Sequence, residues 1–277
     1  MSCKFFELGF DKFRYDFPLE LWRFPIDVRK SISEGYEAAE LQQASRKQPT
    51  LYEKKLMTIK CRAYAKGLTV SISAQDLENE LLKTHYCCPV TKQRFTFSGG
   101  LLTDWSIDRV DNTRGYEPDN IVVVSAKANQ AKSNLDLEQM IAVCFKKYPD
   151  TGELEVIQWF RMVSYYYTRM NLLGAISFSQ LLAKEEGRLE YFIFLQLTCV
   201  NDDSSERLLS LIRERTEKRN LEVLIKLGRK RLKKQGRFNR ASLFGSDKLR
   251  SKFSPVIEQV KSHPELFDHY LLDCMYR

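Results

Sequence analysis

The segment from residue 101 to residue 134 constrains the fold more than any other part of this chain of 277 residues. It begins with LLTDWSID, which predicts a strand, and continues with NTRGYEPDN, a loop that contains Gly115 and Pro118. The apolar run IVVV predicts a buried second strand, and SAKANQAKSN begins a helix. A strand, a loop, a strand and a helix within about thirty residues predict one compact supersecondary unit.

The regions on either side of this segment predict mainly helices. Upstream, YEKKLMTIKCRAYAKG predicts a basic helix that ends at Gly67, and Ser73 predicts the cap of a second helix. Between them, LTVSIS alternates as a short strand does. From Leu135 onward the pattern is mostly helical, with apolar residues on several helix faces. We therefore predict an α+β fold that is mostly α.

Three parts are predicted along the chain. Residues 1–50 form an aromatic-rich N-terminal extension, and residues 51–135 form a core with a helical lead-in. Residues 136–277 form a helical, basic C-terminal domain. The core is thus predicted to lie between two helical regions.

The charge balance indicates an anionic partner. The net charge is +8 and the isoelectric point is about 9.0, which favours nucleic acid first. The seven cysteines are scattered, the aromatic and charged opening residues do not resemble a signal peptide, and no apolar run approaches transmembrane length. We expect a cytoplasmic protein with reduced thiols and no membrane partner.

Two polar residues of the central segment suggest a metal site. Asp108 ends the first predicted strand, and Asn129 lies in the first turns of the helix that follows the second strand. Folding a β-hairpin onto that helix can bring the two together. A carboxylate and an amide oxygen suit Mg²⁺ or Mn²⁺, with water and phosphate completing the shell. Lys132, three residues after Asn129, is placed to hold a phosphate.

The same residues resemble the HNH nuclease superfamily, whose fold is called ββα-metal. The resemblance covers roughly eighty residues and includes the helix–strand–helix lead-in at 52–84. Its motifs are Cys88-Pro89-Val90-Thr91 with Phe95, Ser106 to Asp111, Gly115-Tyr116, Pro118, Asn120-Ile121, Ala128-Asn129 and Lys132-Ser133.

The resemblance implies a role for each motif residue. Asp108 matches the metal-binding acid, and Asn129 matches the final metal ligand on the helix. Asn120 matches the middle Asn, which holds the loop and the catalytic base in place. The family implies a metal-dependent DNA endonuclease, and one such site per chain cuts one strand, so nicking is the expected outcome.

Arg109 departs from the family pattern. The usual motif has His there, and that His deprotonates the attacking water, which a guanidinium cannot do. Arg109 could instead bind the scissile phosphate or pair with Asp111. The candidate bases are His85, Asp104, Asp111, a substrate phosphate and a second water. His85 is preferred by its position just before the Cys-Pro turn.

Structural zinc is not expected. Many HNH proteins bind zinc through two Cys pairs, but Cys87 and Cys88 are adjacent, which is poor spacing for two ligands of one tetrahedral ion. Ser125 and Ala128 occupy the positions that would supply the second pair.

A basic segment predicts phosphate contacts outside the core. Residues 207–252 contain sixteen Lys and Arg, and GRKRLKKQGRFNR has seven cations and no acid among its thirteen residues. Such contacts are independent of base sequence, so we expect double-stranded DNA with weak sequence preference as the partner. The predicted DNA-contacting residues are Arg114, Lys127, Lys132, Arg229, Lys230, Arg231, Lys233, Lys234 and Arg237.

Three functions remain open from the sequence. The first is an endonuclease or nickase, in anti-phage defence or in phage biology. The second is a DNA-binding protein with a catalytically silent HNH fold. The third is a helical interaction subunit of a defence or phage assembly, which would bind a protein partner through the helices at 154–200.

Overall fold

The protein is described by a computed structural model. The described residues are 3–97, 99–145, 154–170, 177–185, 187–190, 193, 206, 209–210, 218–223, 225–226, 247–264 and 268. They confirm an α+β fold that is mostly helical, with one two-stranded antiparallel sheet. The chain divides into two compact units, Met1–Cys87 with Ile107–Val123, and Cys88–Ser106 with Val124–Arg277. The division crosses both strands of the sheet.

The first unit is built mainly from helices. They are α1 (Cys3–Arg14), a 3-10 turn (Leu21–Arg23), α2 (Ile26–Leu41), α3 (Leu51–Ala65) and α4 (Ala74–Lys83). α1 and α2 meet backbone to backbone at two glycines. A Cβ on Gly9 would lie 1.9 Å from the carbonyl oxygen of Ile32, and one on Gly35 would lie 2.0 Å from that of Phe6. Only glycine fits at either position.

One hydrophobic core runs through this unit. Its buried members are Leu8, Phe24, Ile32, Met57 and Tyr64, which come from α1, the turn before α2, α2 and α3. The N-terminal residues therefore share a core with α3.

Both predicted lead-in helices are confirmed, and the sequence explains where they begin. Thr50 and Glu53 form a reciprocal capping box at the start of α3, and Ser73 and Asp76 form one at the start of α4. The strand predicted from LTVSIS is wrong. Val70 makes only an isolated bridge to Tyr116, so residues 68–73 have a single paired position rather than a ladder.

The sheet consists of β1 (Trp105–Arg109) and β2 (Ile121–Ser125). All five residues of β2 are buried, as its apolar run predicts. β1 begins four residues later than the predicted strand, because the carboxylate of Asp104 accepts hydrogen bonds from the backbone N–H groups of Gly100 and Leu101 and closes a turn there. β2 leads into α5 (Ala126–Lys132), which confirms the predicted order of elements.

The remaining helices of the second unit follow α5. Those whose bounds lie within the described residues are α6 (Leu137–Cys144), α7 (Val156–Arg169), α8 (Phe178–Ala183) and α9 (Asp247–Ser262). The core of this unit includes Trp159, Phe160 and Tyr166 of α7, all fully buried. Asp268 joins a distant part of the chain to α8, since its carboxylate accepts from the N–H groups of Phe178 and Ser179 at 2.6 and 2.8 Å.

Within the described ranges, none of the helices combines the length and the apolar character needed to cross a bilayer.

Candidate metal and nucleic-acid site

Asn129 is held in a defined orientation on α5. Ser125 caps the helix by accepting a hydrogen bond from the N–H of Ala128 at 3.2 Å, and Asn129 follows in the first turn. The Asn129 amide nitrogen donates to Ser106 Oγ at 2.7 Å. Because this bond uses Nδ2, a cation would bind the other atom of the amide group, Oδ1. Sequence reasoning placed Ser106 in the motif but gave it no role.

Asp108 lies two residues after Ser106 on β1 and is buried. Alternate residues of a strand project to the same face, so Ser106 and Asp108 share one face of β1. Asp108 belongs to the first unit, whereas Ser106 and Asn129 belong to the second.

Asn120 is a buried clamp on the loop between the strands. Its Oδ1 accepts from the N–H of Asp111 at 2.8 Å, and its Nδ2 donates to the carbonyl oxygens of Asp111 at 3.0 Å and Gly115 at 2.8 Å. With 1% of its surface exposed, the side chain satisfies its polar atoms entirely through the loop backbone. This geometry agrees with the loop-holding role that the resemblance implies for Asn120.

The loop also requires glycine at position 115. A Cβ there would lie 2.1 Å from Thr69 Oγ1 and 2.5 Å from the Thr69 carbonyl oxygen. The neighbouring Tyr116 exchanges hydrogen bonds with the same lead-in segment, donating its N–H to Thr69 and accepting from the N–H of Ser71, both at 2.9 Å. The Gly-Tyr motif thus docks the loop on the lead-in, a contact that sequence reasoning missed.

Arg109 braces this loop from the end of β1. Its Nη1 donates to the carbonyl oxygens of Asn112 at 2.9 Å and Arg114 at 2.7 Å, and its guanidinium carbon lies 5.6 Å from the centre of the Tyr116 ring. Arg109 therefore contributes to the structure of this loop.

Two carboxylates proposed as bases are engaged in other bonds. Asp104 accepts from Thr96 Oγ1 and from two backbone N–H groups. Asp111 accepts from the Thr113 hydroxyl at 2.7 Å and from the Thr113 N–H at 2.8 Å. These two bonds, with the positive charges of Arg114 and Arg109, hold the pKa of Asp111 below its usual value. Its carboxylate is thus a weak proton acceptor.

His85 lies in the turn that follows α4, in a left-handed backbone conformation with φ of 50°. Its side chain is exposed, and its backbone N–H donates to the carbonyl oxygen of Leu82 at 3.0 Å. This places an accessible imidazole at a helix end in the first unit.

The predicted DNA-contacting residues of the core differ in exposure. Lys127 is half-buried on α5. Arg114 makes ion pairs with Glu117 and with Asp119, so a phosphate contact there would have to replace two carboxylates.

Lys132 is fully buried and its ammonium lies 5.0 Å from the centre of the Tyr166 ring. The prediction that Lys132 holds a phosphate is therefore wrong, because a buried ammonium stacked on an aromatic ring cannot reach the DNA backbone.

The predicted basic contacts near the C-terminus lie outside the described residues. They are Arg229, Lys230, Arg231, Lys233, Lys234 and Arg237. Their role in DNA binding stays a prediction from sequence.

Cys88 fastens the Cys-Pro turn to the start of α5. Its buried sulfur accepts from the N–H groups of Ser125 at 3.2 Å and Thr91 at 3.5 Å, and its thiol donates to Ser125 Oγ at 3.4 Å. Cys87 and Cys88 are both free thiols. Within the described ranges, no three His, Cys, Asp or Glu side chains gather as metal ligands. Asp108 and Asn129 would supply one carboxylate and one amide oxygen, which is not a group of that kind.

Comparisons with known proteins do not name a family. No family model matches the chain, and no solved structure matches it. The chain is similar to "Uncharacterized protein R423" of Acanthamoeba polyphaga mimivirus, with 30% identity over 122 residues. The match covers 42% of this chain but 22% of the viral protein, so the chain spans less than a quarter of that relative's length.

Proposed function

We propose that the protein is a metal-dependent DNA endonuclease of the HNH type that nicks one strand. The observation that carries the proposal is the hydrogen bond from Asn129 to Ser106, because Ser106 shares a face of β1 with Asp108. The proposal assigns Asp108 and Asn129 as the two oxygen ligands that the chain supplies.

The donor set fits a hard cation. A carboxylate oxygen and an amide oxygen are ligands that Mg²⁺ and Mn²⁺ accept, with water and phosphate filling the other positions. Such an ion, when bound, supplies stabilisation of the leaving oxygen and of the charge on the pentacovalent phosphate. The chain's own part is to orient Asp108 and Asn129 and to hold the loop through Asn120.

The attacking water needs a base that Arg109 cannot provide, since its guanidinium stays protonated. Asp104 and Asp111 already accept several hydrogen bonds in their loops. His85, a substrate phosphate oxygen and a second water are the remaining candidate bases. Arg109 acts in this proposal by bracing the loop that Asn120 clamps.

The experiment is relaxation of supercoiled plasmid with Mg²⁺ or Mn²⁺. Wild-type protein should convert it to open circles, whereas Asp108→Ala should not. Asp27→Ala is the matched control, because it removes the same charge from an exposed position on α2 and should nick at the wild-type rate. Equal nicking by the wild type and Asp108→Ala would overturn the proposal.

A second candidate is a DNA-binding protein with a silent HNH fold, as favoured by the engagement of Arg109 with the carbonyls of Asn112 and Arg114. Retained DNA binding without nicking in either metal would support it.

A third candidate is an interaction subunit that binds a protein through its C-terminal helices, within a defence or phage assembly. All three share the cytoplasmic setting that the sequence predicts.

A further inference from the structure

A loop in the second unit exposes three large apolar side chains just before β1. Phe97, Leu101 and Leu102 have 42%, 54% and 56% of their surface exposed, and we name them the apolar tip. Single exposed apolar residues are ordinary, but three on one short loop make that loop a candidate interaction surface.

The two ends of this loop are joined at its neck. The N–H of Thr96 donates to the carbonyl oxygen of Thr103 at 3.1 Å, and that of Trp105 donates to the carbonyl oxygen of Thr96 at 3.1 Å. The hydroxyls of Thr96 and Thr103 lie 3.0 Å apart and share a hydrogen bond. Phe97 also contacts the buried Trp105, with ring centres 5.9 Å apart.

A buried carboxylate holds the loop from inside. Asp104 has 7% of its surface exposed, and it accepts from Gly100 N–H, from Leu101 N–H at 2.8 Å and from the Thr96 hydroxyl. Asp104 thus fixes the backbone at Gly100 and Leu101. Little backbone entropy at these two residues is then lost on binding.

The base of the loop rests on the first turn of α5. The N–H of Ala126 donates to the carbonyl oxygen of Asp104 at 2.7 Å, and the N–H of Lys127 donates to that of Leu102 at 2.9 Å. The apolar tip is thus attached to the helix that carries Asn129.

Cations flank the apolar tip in the sequence. Lys92 and Arg94 precede it, Lys127 is bonded to its base, and Asp104 is the single acid between residues 88 and 106. Since the Asp104 carboxylate is buried, the exposed charge of this stretch is positive. DNA has the matching arrangement, because the apolar faces of its bases lie between two lines of phosphates. The apolar tip and the cations that flank it in sequence therefore complement DNA.

We propose that the apolar tip inserts between the bases of DNA and unstacks them, while Lys92, Arg94 and Lys127 contact the phosphates. Architectural proteins use Phe and Leu side chains as wedges in this way. The inference rests on the proposed function in taking DNA as the partner, and it adds that the enzyme deforms the duplex it cuts.

The experiment measures unstacking without cleavage. A duplex that contains 2-aminopurine is mixed with full-length protein in EDTA, and its fluorescence and the dissociation constant are recorded. Wild-type protein should raise the fluorescence. Phe97→Ser/Leu101→Ser/Leu102→Ser should abolish the rise and weaken binding by about fivefold or more. Leu101→Ser/Leu102→Ser, which leaves the Phe97–Trp105 contact intact, should show the same direction of change. Ile26→Ser/Leu41→Ser is the control, because it replaces two apolar residues of α2 that are even more exposed, at 82% and 84%.

Fluorescence and affinity that are unchanged in both tip variants would overturn the proposal, as would a wild-type protein that binds no DNA. Loss of self-association in the tip variants, measured by sedimentation with DNA binding unchanged, would also overturn it and assign the surface to protein contact. Plasmid nicking separates the two proposals. Unstacking of DNA by a wild-type protein that does not nick plasmid would support insertion of the apolar tip and contradict the nuclease. Nicking by the wild type, together with unchanged fluorescence and affinity in the tip variants, would support the nuclease and contradict insertion.

Discussion

Asn120 makes three hydrogen bonds to the loop backbone from a buried position, and its loss would leave those backbone groups unsatisfied. We predict that Asn120→Ala lowers the free energy of unfolding by about 2–3 kcal/mol, as measured by urea denaturation. Asn79→Ala is the control, since Asn79 is exposed on α4 and its replacement should change stability by less than about 0.5 kcal/mol. Equal stability of the two variants would contradict a stabilising role for the hydrogen bonds of Asn120.

Ser106 orients Asn129 rather than binding the ion in this account. Ser106→Ala should remove the hydrogen bond to Asn129 Nδ2 and let the amide rotate. We predict that nicking at saturating Mn²⁺ falls by about tenfold while the unfolding free energy changes by about 1 kcal/mol at most. Ser106→Thr, which keeps the hydroxyl, should restore part of the rate. Wild-type kinetics in Ser106→Ala would show that Asn129 needs no such partner.

Residue type and spacing were enough to identify Asp108, Asn120 and Asn129 as candidate site residues, since each stands at a motif position. They could not reveal the burial of Lys132, which depends on Tyr166, a residue of a different helix much later in the chain. The bracing by Arg109 was also unpredictable, because it depends on which loop carbonyls point toward the end of β1.

The start of α3 depends on one carboxylate. Glu53 accepts from Lys47 Nζ at 2.7 Å, from the Thr50 N–H at 2.9 Å and from the Tyr15 hydroxyl at 2.9 Å. These bonds, with that from Lys47 the strongest, lower its pKa from 4.5 to about 2. A lowered folded-state pKa means that the stabilisation is present above the unfolded value and is lost as the pH falls through about 2.

We therefore predict that the unfolding free energy declines between about pH 5 and pH 2 through Glu53. Its share is about 1 kcal/mol, because Lys47 is partly exposed and solvent screens the pair. Glu53→Gln should reduce this pH dependence in urea titrations. Glu34→Gln, which alters a solvent-exposed pair with Lys30, should leave it unchanged, and equal curves for both variants would contradict the assignment.

Helices were easier to predict than strands because their signals are local. Thr50 with Glu53, and Ser73 with Asp76, lie within single turns and mark where α3 and α4 begin. The alternation of residues 68–73 was misleading because a strand needs a partner along its length. Its neighbour supplies only Tyr116.

At the scale of the whole molecule, the excess of positive charge predicts binding that depends on salt. Lys233→Ala/Lys234→Ala/Arg237→Ala should weaken DNA binding and reduce the slope of log affinity against log salt by up to about 3. The slope is measured by fluorescence anisotropy over a range of salt concentrations. An unchanged slope would show that the basic segment does not contact phosphate.

The most direct test of the central claim is the rate of plasmid nicking measured against Mn²⁺ concentration. Wild-type protein should show saturable nicking, and Asn129→Ala should need at least about tenfold more Mn²⁺ for half its maximal rate, because one ligand is lost. Asp108→Asn should show no nicking at any concentration. Nicking by Asp108→Asn at the wild-type rate, or an unchanged Mn²⁺ requirement in Asn129→Ala, would contradict a metal site formed by these two residues.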